Sequence, residues 1–137
     1  MMKKKKNNKG FSLVELIVVI AIMAVLVGVL APQFIGYVAK SKVSTDLQNA
    51  DSLKSAVEIA IAEADSASTA TVTVNGSGKT ITVAGTGLTF AVSSVSLKAT
   101  WSDGVYTYSA SSGWATTTDS QTTDVTPNHL LSEVFTN

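Results

Sequence analysis

The sequence predicts an α+β fold. A long N-terminal α-helix, membrane-spanning in its first half and amphipathic in its second, carries a C-terminal antiparallel β-sheet packed on the second half. Three observations predict this. Residues 16–31 form a run of sixteen without a polar side chain. Apolar residues then recur at steps of three and four through residues 43–64. After Ala70 the pattern changes to threonine alternating with β-branched apolar residues.

The oily run comes first. Counted from Phe11 it is about twenty residues, or about 30 Å of helix, which matches the hydrocarbon core of a bilayer. Lys3, Lys4, Lys5, Lys6 and Lys9 precede it with no acid among them. Basic residues next to an oily segment hold that end on the cytoplasmic side. The net charge of zero therefore hides an asymmetry, because five lysines face ten acids from Phe11 onward. No arginine is present, and outside the extreme N-terminus no basic stripe suits nucleic acid, so the sequence requires no nucleic-acid contact.

Pro32 follows the run, with Gly28 and Gly36 on either side at four-residue spacing. Proline removes a backbone donor and glycine lowers helix propensity, so a kink or melted turn is expected across residues 28–36. The helix then resumes. Val43, Leu47, Ala50, Leu53, Val57, Ala60, Ile61 and Ala64 make one apolar stripe, and Lys42, Asp46, Asp51, Lys54, Glu58 and Glu63 are read as the solvated face. The helix is expected to end near Asp65.

The strands come next. Thr71-Val72-Thr73-Val74 and Thr80-Ile81-Thr82-Val83 flank Asn75-Gly76-Ser77-Gly78 and read as a hairpin. Residues 95–101 alternate as well, and Ser102-Asp103-Gly104 is read as the turn of a second hairpin into Val105-Tyr106-Thr107-Tyr108. Ser112-Gly113 leads into another strand at Trp114. Residues 116–128 read as a polar loop, and 129–135 as either a short strand or a helical turn. Trp101, Tyr106, Tyr108 and Trp114 stand at strand positions and are expected to pack the sheet.

No catalytic site emerges. The chain has no cysteine, so disulfides and thiolate chemistry are excluded. His129 is the sole histidine and has no nucleophile or metal-ligand spacing around it. Asp119 and Asp124, with Glu133, offer oxygen atoms for calcium, but the spacing is nonspecific and a solvated loop is the preferred reading. No metal, cofactor or catalytic residue is assigned.

The remaining question is Glu15, an acid inside the start of the oily run. Such a charge costs about 2.5–3.5 kcal/mol in a bilayer and needs a partner. A secretory signal peptide would place its cut at Val29-Leu30-Ala31, but Pro32 follows that site. A simple one-pass anchor explains the lysines and leaves Glu15 without a purpose. Gly10-Phe11-Ser12-Leu13-Val14-Glu15-Leu16 supplies one. This stretch, with the basic leader before it and Pro32 after it, resembles the N-terminal signal of type IV pilins and pseudopilins, with Ser12 where threonine is usual.

The resemblance implies a basic leader, residues 1–10, removed on maturation by a prepilin peptidase that cuts between Gly10 and Phe11 and methylates the new Phe11 amine. It implies a membrane and filament-core helix over 11–42 and a globular part over 43–137. The subunit would wait in the membrane, then enter a homopolymeric surface filament through pilus assembly machinery. Phe11, Glu15 and Pro32 would serve assembly, with Glu15 pairing with a Phe11 amine of its own or a neighbouring subunit to set register. Two alternatives follow from the same residues. One is a pseudopilin of a type II secretion or DNA-uptake apparatus; the other is a monomeric membrane-anchored binding protein.

Overall fold

A computed structural model describes residues 10–64, 68–125 and 128–136 of the chain. The lysine-rich leader, the expected helix end at Asp65 and part of the 116–128 loop lie outside the described residues. The fold is α+β, with a long N-terminal helix and a C-terminal antiparallel sheet packed on it. In chain order the elements are α1 (Leu13–Glu63), β1 (Thr69–Asn75), β2 (Thr80–Ala84), β3 (Ser94–Ser96), β4 (Gly104–Ser109), β5 (Gly113–Thr118), β6 (Gln121–Thr122), β7 (His129–Leu130) and α2 (Ser132–Phe135). The chain divides into two compact units, Met1–Ile35 and Gly36–Asn137.

In the first unit the only described element is the N-terminal part of α1. Its apolar side chains are exposed all round, with no core to receive them. A helix apolar on every face is stable only when something apolar surrounds it. α1 contains a stretch long and apolar enough to cross a membrane. α1 stays helical through Pro32, so the expected melted turn does not form. Proline forfeits one i→i−4 bond there, and the strong helix formers on either side carry the helix across.

In the second unit the predicted stripe becomes the core. Val43, Ala50, Leu53, Val57 and Ile61 of α1 pack against Ala70, Val72 and Val74 of β1, Ile81 and Val83 of β2, and Tyr106 of β4. Burying each large aliphatic side chain contributes about 1.5–3 kcal/mol. Alternation along β1 does the sorting: Ala70, Val72 and Val74 point inward while Thr69 and Thr73 face solvent. Leu97, Ala99, Trp101, Leu131 and Phe135 close the rest.

The five-stranded sheet has the order β3-β2-β1-β4-β5, and every neighbouring pair is antiparallel. The first expected hairpin forms, with Asn75 opposite Thr80. The second does not. β3 pairs with β2 and β4 pairs with β1, so β3 and β4 lie on opposite sides of the β1–β2 hairpin. The strand expected over 95–101 also stops early. The Leu97 amide bonds the Lys79 carbonyl, and the next two amides go to a side chain of α1 instead of a strand.

That side chain is Asp46, and it corrects a second expectation. Asp46 is 0 % exposed, although it was placed on the solvated face. Its Oδ1 accepts the Lys98 N–H at 2.8 Å. Its Oδ2 accepts the Ala99 N–H at 2.8 Å and the Trp101 indole N–H at 2.9 Å. A buried carboxylate is tolerated when its lone pairs are filled in this way. The helical spacing already put residue 46 on the stripe, three residues after Val43 and four before Ala50; the side chain's polarity misassigned it. Glu58, also read as solvated, is half-buried and accepts the Trp114 indole N–H at 2.9 Å.

The expected 116–128 loop is more ordered than a loop. β5 runs to Thr118, and β6 pairs with β7. Residues 129–135 hold both alternatives in succession, the strand β7 and then the short helix α2. The aromatic side chains pack as expected. Tyr106 lies 4.7 Å from Phe135 between ring centroids, Trp114 lies 5.0 Å from Phe135, and Tyr108 lies 4.9 Å from Trp114.

Candidate functional site

The candidate site is the start of α1. Ser12 stands just before the first helical residue, Leu13, and its carbonyl accepts the Leu16 N–H at 3.2 Å. The Ser12 hydroxyl oxygen accepts the Val14 N–H at 3.3 Å. Glu15 reaches back, and its Oε2 accepts the Ser12 N–H at 2.9 Å. These reciprocal bonds are a capping box: serine at the cap and glutamate three residues on satisfy backbone donors that the first turn leaves free. The carboxylate also sits where the helix dipole favours negative charge. Ser-x-x-Glu before an apolar run signals this arrangement in the sequence alone. The motif Gly10-Phe11-Ser12-Leu13-Val14-Glu15-Leu16 contains that signal, which a reading of Glu15 as a charge partner alone leaves unused.

Glu15 thus has a local partner, the Ser12 N–H. A carboxylate offers about four acceptor positions, so the Ser12 bond leaves capacity for an amine. Gly10 and Phe11 precede the helix in an open, non-helical stretch. Phe11 is 95 % exposed, so its ring is not packed on the helix it precedes. Gly10 has nothing within 4 Å of where a Cβ would stand. Both residues flanking the Gly10–Phe11 peptide bond are exposed. Pro32 lies within α1, in the exposed apolar stretch.

The carboxylates of Asp119 and Asp124 accept hydrogen bonds from the protein itself. Asp119 Oδ1 accepts the Tyr106 hydroxyl at 2.6 Å and the Ser132 N–H at 3.1 Å, and its Oδ2 accepts the Ser132 hydroxyl at 2.6 Å. Burial works to raise the Asp119 pKa. Hydrogen bonds from Ser132 and Tyr106 outweigh it and hold the carboxyl below the usual aspartate value. The Tyr106 hydroxyl is pushed well above the usual tyrosine range, chiefly by burial and then by the bond to Asp119. Asp124 Oδ2 accepts the Thr100 N–H at 2.7 Å. Among the described residues no group of three His, Asp or Glu side chains is placed to hold a metal ion.

The profile of the prokaryotic N-terminal methylation motif matches residues 5–31. The resemblance to type IV pilins and pseudopilins holds over this segment. A fimbrial protein of Pseudomonas aeruginosa is 40 % identical over 58 residues, covering 42 % of this chain and 38 % of its own. The type IV major fimbrial protein FimA of Dichelobacter nodosus is 35 % identical over 57 residues, 42 % of this chain and 36 % of its own. Prepilin peptidase-dependent protein A of Clostridium perfringens is 43 % identical over 60 residues, 43 % of each chain. The chain spans about two fifths of the length of these pilin-like relatives. No solved structure matches it.

Proposed function

We propose that this chain is a structural subunit of a type IV pilus, made as a membrane-held precursor, cut between Gly10 and Phe11, methylated at the Phe11 amine and polymerised through its N-terminal helix. The observation that carries the reading is the methylation motif over residues 5–31 followed directly by apolar side chains exposed all round α1. So much apolar surface needs a cover, first lipid and then neighbouring helices.

The chemistry of each step follows from the residues. The leader lysines hold the N-terminus in the cytoplasm. A prepilin peptidase meets Gly10 and Phe11 before the helix begins, where both residues are exposed. The cut replaces a neutral peptide nitrogen at Phe11 with a cationic amine. Glu15 then lies four residues from a positive charge, and two such charges are costly apart and tolerable together once helices bundle away from water. Pairing between subunits favours one axial register. The globular part stays outside the membrane. The subunit acts as structure and not as an enzyme, with the pilus assembly machinery moving it from bilayer to filament.

The pseudopilin reading shares the same N-terminal evidence, and electron microscopy separates the two. Cells with the gene intact should carry long surface fibres that are lost on deletion. Fibres unchanged by the deletion, with a secretion or DNA-uptake defect, would move the assignment to a pseudopilin.

A further inference from the structure

The β1–β2 turn holds Asn75-Gly76, the only Asn-Gly pair in the chain. Glycine is the follower that exposes an asparagine most, because no side chain shields its nitrogen. That nitrogen can attack Asn75 Cγ: the N–Cγ bond forms, the Cγ–Nδ2 bond breaks, and ammonia leaves with the proton from Gly76. Water then opens the cyclic imide to aspartate or isoaspartate.

Packing imposes this weak point. A Cβ on residue 76 would lie 2.0 Å from the Trp101 carbonyl oxygen and 2.9 Å from its carbon. Backbone conformation does not demand the glycine: in this turn the positive φ, 50°, belongs to Lys79. Glycine is therefore present so that Trp101 can approach, and alanine at 76 is closed off as a remedy.

The same turn holds both reacting groups away from each other's reach. The Gly76 N–H, whose nitrogen would attack, donates to Asp103 Oδ1 at 2.8 Å. Asn75 Oδ1 accepts the Gly78 N–H at 2.7 Å, which lays the carboxamide along the turn toward Gly78. Asn75 is also held in strand register opposite Thr80. Cyclisation must release the Gly76 nitrogen from Asp103 and turn the carboxamide off Gly78.

We propose that Asn75 is a latent deamidation site and that Asp103 is the positioning residue that protects it by holding the Gly76 N–H. The proposal is independent of the filament reading, since it uses only the turn and the segment after Trp101.

The test uses the full chain in detergent micelles, incubated at mildly alkaline pH, with peptide mass spectrometry of the Asn75 peptide. Wild type, Asp103→Ala and urea-denatured wild type are compared. Folded wild type should deamidate far more slowly than denatured chain. Asp103→Ala should be about tenfold faster than folded wild type, the change expected from losing a hydrogen bond to a charged acceptor. Hydrogen exchange at Tyr106, in the core strand β4, reports any general loosening. Equal rates in wild type and Asp103→Ala overturn the proposal, as does a folded rate equal to the denatured one. Faster deamidation with matching loss of protection at Tyr106 makes the effect global and also overturns it.

Discussion

Asp46 on the helix and Trp101 beyond the sheet edge are 55 residues apart in sequence and joined by a 2.9 Å hydrogen bond in the core. The same carboxylate takes the amides of Lys98 and Ala99. Residues 97–101 run away from β3 and have no strand partner for those amides. Asp46 replaces the strand, and so fastens an irregular segment to α1. A chain with no cysteine has no disulfide to do this.

Asp46→Ala should therefore be among the most damaging single changes in the globular part. It leaves two buried amides and an indole N–H without an acceptor, at about 1–3 kcal/mol for each unsatisfied group. Urea unfolding of the full chain in micelles, followed by tryptophan fluorescence, should show a loss of several kcal/mol. Asp46→Asn keeps a carbonyl oxygen and should lose less. An Asp46→Ala transition at the wild-type midpoint would contradict the assignment.

Asp119 does the corresponding work at the C-terminal end, joining Tyr106 of β4 to Ser132 of α2. Its folded pKa is lowered. A carboxylate with a depressed folded pKa stabilises the fold above its unfolded pKa, and that contribution disappears as pH falls through the folded value. Wild type should hold its Asp119 stabilisation at neutral pH and lose it in the acid range below the ordinary aspartate pKa. Asp119→Asn should be less stable at neutral pH, and the gap should close on acidification. Parallel stability curves at all pH values would show that the charge on Asp119 contributes nothing.

Ser12→Ala should fray the first turn of α1. Losing a serine cap costs about 1 kcal/mol, whereas threonine can still cap. Amide exchange at Val14 in micelles should quicken in Ser12→Ala and stay near wild type in Ser12→Thr. No change in either would mean that the hydroxyl does not hold this amide.

Capping and charge pairing make separate demands on Glu15, and two substitutions divide them. Glu15→Gln keeps a side chain suited to the capping box and removes the charge. Glu15→Leu removes both. Both should insert at least as well as wild type and still be cut, because Gly10 and the leader are untouched. Both should enter filaments poorly, since breaking one side of a buried ion pair typically costs about 3–5 kcal/mol. The measurement is the ratio of membrane-held to sheared extracellular subunit. If Glu15→Gln assembles like wild type and Glu15→Leu does not, capping is the role that assembly needs.

The architecture was legible where pattern alone decides it. The three- and four-residue steps gave the buried face of α1, and threonine alternation gave β1 and β2 with their turn. Strand pairing was not legible beyond that hairpin. Adjacency in sequence suggested that β3 and β4 pair, and no local signal says that β4 crosses to β1. Asp46 occupies a buried stripe position by helical spacing, and its polarity alone points to solvent. The Ser12–Glu15 cap is legible in the Ser-x-x-Glu spacing, which a charge-pairing role for Glu15 does not draw on. Gly10 and Phe11 were legible only through the motif, since neither makes contacts that would mark it.

The N-terminus of the mature subunit bears most directly on the central claim. Filaments sheared from cells should be digested and their N-terminal peptide measured by mass spectrometry. A chain that is processed and polymerised should begin at Phe11 with a methylated amine. A peptide that still contains Lys9, or a chain found only uncut in the membrane fraction, would contradict the account.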